Sequence, residues 1–215
     1  MITDERVSSF IRSFSQEDEG LITRIEEEAI AEGVPIIGQE TRELLKMLVL
    51  LKKPERILEI GSAIGFSSLY MSRYIEKDAR ITTVEKWKPR VKQARENFSK
   101  AGKADVITLI EGDAAQVLKE LEGSFDMVFM DAAKGQYIHF LPDIMRLLEK
   151  EGIIVSDNVF QNGEVLNSRF VVEKRNRTIH SRMREYLYTI THHASLETAI
   201  IPVGDGVTVS IRREA

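Results

Sequence analysis

From residue 56 onward, short apolar runs alternate with longer amphipathic stretches, and that alternation predicts an α/β protein. Arg56–Ile60, Ile81–Glu85 and Val106–Ile110 read as three strands, and the apolar runs Met127–Met130 and Ile153–Val155 as a fourth and fifth, buried in a parallel sheet. Helical spacing fills the intervals at about 66–77, 87–101, 114–122 and 137–149, each long enough for a right-handed crossover. Near the end, Thr198–Val203 and Val207–Ile211 flank Gly204-Asp205-Gly206, a hairpin signal that adds an antiparallel pair. Upstream, apolar residues recur at helical spacing as Phe10, Ile11 and Phe14, then Leu21, Ile22, Ile25, Ala29 and Ile30, then Leu44, Leu45, Leu48 and Leu51. Gly33 and Pro35 interrupt them, so two or three helices precede the first strand. The expectation is a doubly wound, mostly parallel sheet in a single domain over 1–215, with helices over 1–52 and the α/β core over 56–215.

Composition narrows the class. Hydrophobic residues make up 43% and charged residues 30%, values of a water-soluble globular chain rather than a disordered or fibrous one. The absence of cysteine excludes disulfides, thiolate metal sites and cysteine nucleophiles. Met1–Arg6 lacks the basic start and apolar core of a signal peptide, and no apolar stretch is long enough to span a bilayer. A cytoplasmic location with no membrane partner is therefore the default. The net charge of −4 argues against a nucleic-acid coat over the whole surface, though not against a local basic patch.

The chemistry gathers at strand ends. Asp131 follows the fourth strand in Asp131-Ala-Ala-Lys134-Gly-Gln-Tyr137, and Asp157-Asn158 follows the fifth, so their oxygens should emerge together at the carboxyl edge of the sheet. Two carboxylates and an amide carbonyl suit a hard divalent cation; a helix cap or a closed turn is the plainer reading of either Asp. The turn Gly61-Ser-Ala-Ile-Gly65 after the first strand lets backbone approach a ligand, yet it lacks the spacing of a dinucleotide site. Glu85 ends the second strand, where a carboxylate can accept both hydroxyls of a ribose, and Asp113 follows the third, placed for an adenine amino group or simply for capping a helix. With several carboxylates and no Lys or Arg read close by, the ligand expected is an uncharged nucleoside bearing a cation. S-adenosylmethionine fits that description; a dehydrogenase or a non-catalytic nucleotide-binding module is the competing class.

In this order of motifs the chain resembles the class I S-adenosylmethionine-dependent methyltransferases, and among them the cation-dependent O-methyltransferases that include catechol O-methyltransferase. The resemblance runs from Val34-Pro35-Ile36 through the glycine turn, Val84-Glu85, Gly112-Asp113-Ala114, the Asp131–Tyr137 motif and Asp157-Asn158 to Pro202–Gly206. It implies a Rossmann-like fold, Mg²⁺ held by Asp131, Asp157 and Asn158, and a cofactor site lined by Ile37, Gly61, Ser67, Glu85, Asp113, Ala114 and Asp131. It also implies Lys134 as general base, its pKa depressed by a neighbouring cation and the sulfonium; a solvated lysine on a helix's first turn is the alternative. Tyr137 is assigned to core packing or a hydrogen bond near the cofactor, and His139, His192 and His193 to no chemistry.

One further stretch departs from the acidic average. Lys174 to Arg184 carries Lys174, Arg175, Arg177, Arg182 and Arg184 within about three helical turns, a candidate phosphate-binding face as well as an ordinary solvated one. With Pro35-Ile36, the Asp131–Tyr137 motif and Thr198–Gly206, it gives the chain its similarity to the bacterial tRNA 5-hydroxyuridine methyltransferases. That similarity implies methylation of the wobble 5-hydroxyl to 5-methoxyuridine, with the anticodon loop of tRNA as partner. A small catechol-like metabolite is the alternative acceptor. A homodimer is also expected, because relatives of this fold commonly pair and the N-terminal helices are rich in apolar residues.

Overall fold

The computed structural model describes residues 5–14 and 20–213. Seven strands form one sheet: β1 (Arg56–Ile60), β2 (Arg80–Glu85), β3 (Ile107–Glu111), β4 (Phe125–Met130), β5 (Leu148–Ser156), β6 (Leu196–Ile201) and β7 (Val207–Arg212), in the order β3-β2-β1-β4-β5-β7-β6. The first five run parallel, and β7 lies antiparallel between β5 and β6. Strand order reverses between β1 and β4, which opens a crevice beyond their carboxyl ends, the place where open α/β sheets bind ligands.

The pleat sorts neighbouring residues into two cores. Ile57, Met127, Phe129, Ile153 and Val155 face one layer with α2 (Leu21–Ala31), α3 (Gln39–Lys52), α4 (Phe66–Met71) and α5 (Lys88–Lys100). Leu58, Val128, Met130 and Ile154 face the other, with α6 (Ala114–Glu120), α7 (Tyr137–Leu147) and α8 (Arg177–Thr191). Consecutive apolar residues are thus consumed on opposite faces, as their unbroken runs require.

Three expectations change in detail. The helix read over 66–77 ends at Met71, where Ser72 is the C-cap and its hydroxyl donates to Leu69 O at 2.8 Å; Tyr74 and Ile75 keep the apolar rhythm because the turn still packs on the core. The fifth strand begins at Leu148 rather than Ile153, since a register shift opposite Phe125 and Met127 and a left-handed Glu151 (φ 57°) disrupt the alternation that would have marked it. Three N-terminal helices form within the described residues, the first being α1 (Glu5–Arg12), but α1 buries only Ser8 and leaves Phe10 66% exposed. Phe14, Ile30 and Leu51 are exposed as well. Residues 1–4, on which the reading of the amino terminus partly rests, and 15–19 within the first helical region lie outside the described residues. No helix among the described residues is long and apolar enough to cross a membrane.

Candidate active site

The strand ends converge as their pattern requires. The ladder continues one residue past each strand: Gly61 N–H donates to Val84 O, Asp131 N–H to Ile60 O and Asp157 N–H to Met130 O, each at 3.0 Å. Gly61, Asp131 and Asp157 therefore stand side by side at the crevice. Gly61 adopts φ +99°, and a Cβ there would sit 2.1 Å from the Asp131 carbonyl oxygen, so this approach of β1 to β4 admits only glycine.

A cavity of about 700 Å³ opens at this edge. Ile37, Gly61, Ser67, Glu85, Asp113, Ala114 and Asp131, the residues assigned to the cofactor, all line it, together with Lys134 and Asn158. Glu85 is already engaged. Its Oε1 accepts from Lys86 and Trp87 N–H at 2.9 and 2.8 Å, and its Oε2 from Ala63 N–H at 3.1 Å, which fixes the carboxylate at the cavity wall. Asp113 caps α6 through Ala115 N–H at 2.9 Å and lines the cavity at the same time, so its two readings coexist.

Lys86 corrects one premise. It lines the cavity with its Nζ 3.5 Å from Asp113 Oδ2, so a basic side chain does stand among these carboxylates. The wall is therefore not all acidic, although Lys86 is largely exposed. Glu59 lies inside a strand, where the strand-end pattern marks no site residue. It is fully buried in β1 and accepts hydrogen bonds from the hydroxyls of Ser67, Ser68 and Thr83, and burial raises its pKa despite those donors. Ser67 thus reaches the cavity with its hydroxyl committed to Glu59.

At the other side of the crevice, Asp131 Oδ1 accepts from Lys134 Nζ at 2.6 Å, and the same Nζ donates to the Tyr137 hydroxyl at 3.1 Å. Asp157 is 1% exposed. Burial and then the charge of Asp131 push its pKa up to about 7, against the pull of Lys134. Burial works against the charge of Lys134, but Tyr137 and Asp131 outweigh it and leave its pKa above the ordinary lysine value. This is the reverse of the depression expected from sequence, which needs charges of a metal ion and a sulfonium that the polypeptide does not supply.

A buried carboxylate whose affinity for protons is raised by a neighbouring one marks a site short of positive charge, and Asp131, Asp157 and Asn158, at adjacent strand ends, carry oxygens of the chemical kind that a hard divalent cation takes. Among the described residues no group of three or more His, Cys, Asp or Glu is placed to hold a metal. A cation held here would draw two carboxylates and an amide from the protein.

The basic stretch divides between exposure and internal use. Lys174 and Arg175 are exposed, Arg175 pairing with Glu173 at 2.8 Å. Arg177 instead donates to Val172 O and Phe170 O at 3.0 and 3.3 Å, Arg182 to Gly135 O at 3.3 Å and Arg184 to Val165 O at 3.2 Å. The start of α8 thereby holds both the loop after β5 and the turn that carries Lys134. Gly204-Asp205-Gly206 also does more than turn the hairpin: both Asp205 carboxylate oxygens accept from Asn162 N–H at 2.8 Å, and Thr41, behind Gly204, lies 3.5 Å from Asp157 Oδ1.

Comparison with known proteins agrees with this geometry. The O-methyltransferase family model matches residues 12–213. A catechol O-methyltransferase of Niastella koreensis is 32% identical over 157 residues, covering 70% of this chain and 71% of its own. A caffeoyl-CoA O-methyltransferase of Populus kitakamiensis is 29% identical over 174 residues, covering 78% and 74%. The structure of the Podospora anserina methyltransferase PaMTH1, solved with SAH bound, superposes with a TM-score of 0.88 at 27% identity, covering 98% of this chain and 95% of that one.

Proposed function

Because the chain belongs to the O-methyltransferase family, we propose that it methylates an acidic hydroxyl with a second oxygen beside it, using Mg²⁺ held by Asp131, Asp157 and Asn158. The chain is an S-adenosylmethionine-dependent O-methyltransferase of the catechol and caffeoyl-CoA type; the metal and the acceptor are what is proposed. The observation that supports the metal is that Asp131 and the almost wholly buried Asp157, just past the ends of the neighbouring strands β4 and β5, lie near enough for the charge of the first to raise the pKa of the second.

S-adenosylmethionine supplies the methyl group, whose bond to sulfur breaks as the bond to the acceptor oxygen forms. Mg²⁺, when bound, acidifies a chelated hydroxyl. Ile37, Gly61, Glu85, Asp113 and Ala114 shape and position the cofactor's end of the cavity. The hydroxyl proton is assigned to Lys134, between Asp131 and Tyr137, which would have to be neutral to take it; the polypeptide alone raises its pKa, and the charges of a bound cation and of the sulfonium would lower it. With 5 mM EDTA, about the excess needed to strip weakly held Mg²⁺, activity should vanish and return with added Mg²⁺; full activity in chelator removes the metal from the scheme.

The acceptor proposed is the 5-hydroxyl of wobble 5-hydroxyuridine in tRNA, whose neighbouring carbonyl completes a chelating pair. Its support is the exposed surface at the end of the loop after β5, where Phe170 (88% exposed) and Val171 stand beside Arg169, Lys174 and Arg175, an aromatic and basic mixture suited to unpaired bases and their phosphates. Such an acceptor goes with a cytoplasmic location. A small catechol-like acceptor is favoured by a different observation: Arg177, Arg182 and Arg184 are engaged within the protein. Replacing Lys174 and Arg175 with Glu, which leaves those three in place, should abolish methylation of hypomodified tRNA and spare methylation of catechol. Nucleoside mass spectrometry of tRNA from a deletion strain should show 5-hydroxyuridine in place of 5-methoxyuridine; an unchanged profile rules the tRNA acceptor out.

We also propose a homodimer. The helix α1 has eight residues, too few to persist alone in water, and it exposes Val7, Phe10 and Ile11, while α3 exposes Met47, Leu50 and Leu51. A second copy offering the same helices would cover them by two-fold symmetry.

A further inference from the structure

We infer that Tyr137 is a positioning residue for methyl transfer: its hydroxyl ties together the two strand ends that carry Asp131 and Asp157 and holds Lys134 Nζ in place. The side chain is fully buried at the first position of α7. Its oxygen lies 3.0 Å from Met130 O, 3.1 Å from Asp157 O, 3.1 Å from Lys134 Nζ and 3.3 Å from Ala132 N. A phenol has one proton to donate and accepts two hydrogen bonds. It donates to one or other of the carbonyls and accepts from the ammonium and the Ala132 amide, so its capacity is filled.

The partners are not arbitrary. Met130 and Ala132 flank Asp131 on either side, and Asp157 contributes its own carbonyl. One oxygen atom therefore holds the Ala132 amide on one side of Asp131 and, with its single proton, either the Met130 carbonyl on the other side or the Asp157 carbonyl, while Lys134, bonded to Asp131 at 2.6 Å, closes the ring. The Tyr137 ring is braced edge-on by the Tyr186 ring at 5.5 Å between centroids, a contact that a phenylalanine at 186 would keep. Burial also holds the Tyr137 phenol above its ordinary pKa, which keeps it a neutral donor.

Tyr186 supplies the control. It is equally buried and also hydroxyl-bonded, but its partners are the side chains of Ser156 and Thr208 rather than Lys134 or the backbone around Asp131. Tyr137→Phe and Tyr186→Phe each remove one buried hydroxyl from the same aromatic pair. In steady-state assays with S-adenosylmethionine, Mg²⁺ and whichever acceptor wild type methylates, catechol or hypomodified tRNA, Tyr137→Phe should lose roughly 10–100-fold in kcat. Its KM for S-adenosylmethionine and its calorimetric affinity for S-adenosylhomocysteine, measured below its unfolding midpoint, should stay within about threefold of wild type, and the Mg²⁺ concentration for half activation should rise. Tyr186→Phe should keep kcat within about threefold even where its melting point drops as far.

A Tyr137→Phe enzyme with nearly wild-type kcat overturns the inference. So does an equal kcat loss in Tyr186→Phe, or loss of S-adenosylhomocysteine binding along with activity, since either makes the role one of core packing. The inference rests on the proposed function only for the meaning given to Asp131 and Asp157. Wild-type activity that survives EDTA would defeat the metal assignment, while the kcat and KM split would still report on the placement of Lys134.

Discussion

Single residues at the crevice divide into those whose identity geometry dictates and those whose ionisation it dictates. Gly61 belongs to the first group. Gly61→Ala forces a side chain into the Asp131 carbonyl at a left-handed φ, which should cost at least about 2 kcal/mol and lower the melting point by roughly 4–8 °C, with loss of activity because Asp131 is displaced. Thermal unfolding by circular dichroism checks it, and an unchanged midpoint would mean β1 and β4 are not this close. Glu59 belongs to the second. Its pKa is raised above the usual 4.5 by burial, so the unfolded chain releases this proton at lower pH than the native one. Its contribution to stability is therefore full below pH 4.5 and declines as pH rises toward its native pKa. Glu59→Gln removes that decline, so the melting point of the variant relative to wild type should be higher at pH 8 than at pH 5. Asp131, Glu85 and Asp113 were legible in the sequence because each terminates an apolar run. Glu59 was not, since it lies inside one and its hydroxyl partners come from α4 and from β2. Lys86 was missed because the Glu85 carboxylate curls the following backbone toward itself and carries the lysine to the cavity rim.

At the level of elements, α8 shows how a charged pattern misleads. Spacing and net charge mark Lys174–Arg184 as a basic face, yet three of its arginines end on carbonyls of neighbouring loops, partners that no local pattern reveals. Arg177→Ala should loosen the segment around 166–173, seen as faster hydrogen exchange there, at a cost of about 1 kcal/mol in global stability. If exchange is unchanged, the two bonds to Val172 and Phe170 are not what holds the loop. The strands of the parallel core, by contrast, were readable almost to the residue, because burial on both faces leaves an unbroken apolar run between polar boundaries. Where the pattern broke, at the bulged start of β5 and the early end of α4, the cause is local backbone geometry with a weak side-chain signature. The first helix was readable as amphipathic but not as exposed; periodicity reports that a face is apolar and leaves open what covers it.

For the molecule as a whole, the strand order and the site can be tested together through ligand linkage. S-adenosylhomocysteine at about 100 times its Kd should stabilise the protein by about 2.7 kcal/mol, and Asp113→Ala should lose part of that shift along with its cap on α6. Replacing Phe10 and Ile11 with Ser should turn a dimer into monomers in sedimentation measurements; a wild-type chain that already sediments as a monomer removes the pairing. The antiparallel insertion of β7 has one more consequence. The edge of β5 that carries Ile153, Ile154 and Val155 is covered by β7, which is made well after it, so during synthesis a sticky apolar ribbon waits in the open until β7 emerges. Yield in a cell is then governed less by the robustness of the finished enzyme than by how long that ribbon stays bare, and slow codons or chaperone shortage between β5 and β7 would show up as inclusion bodies.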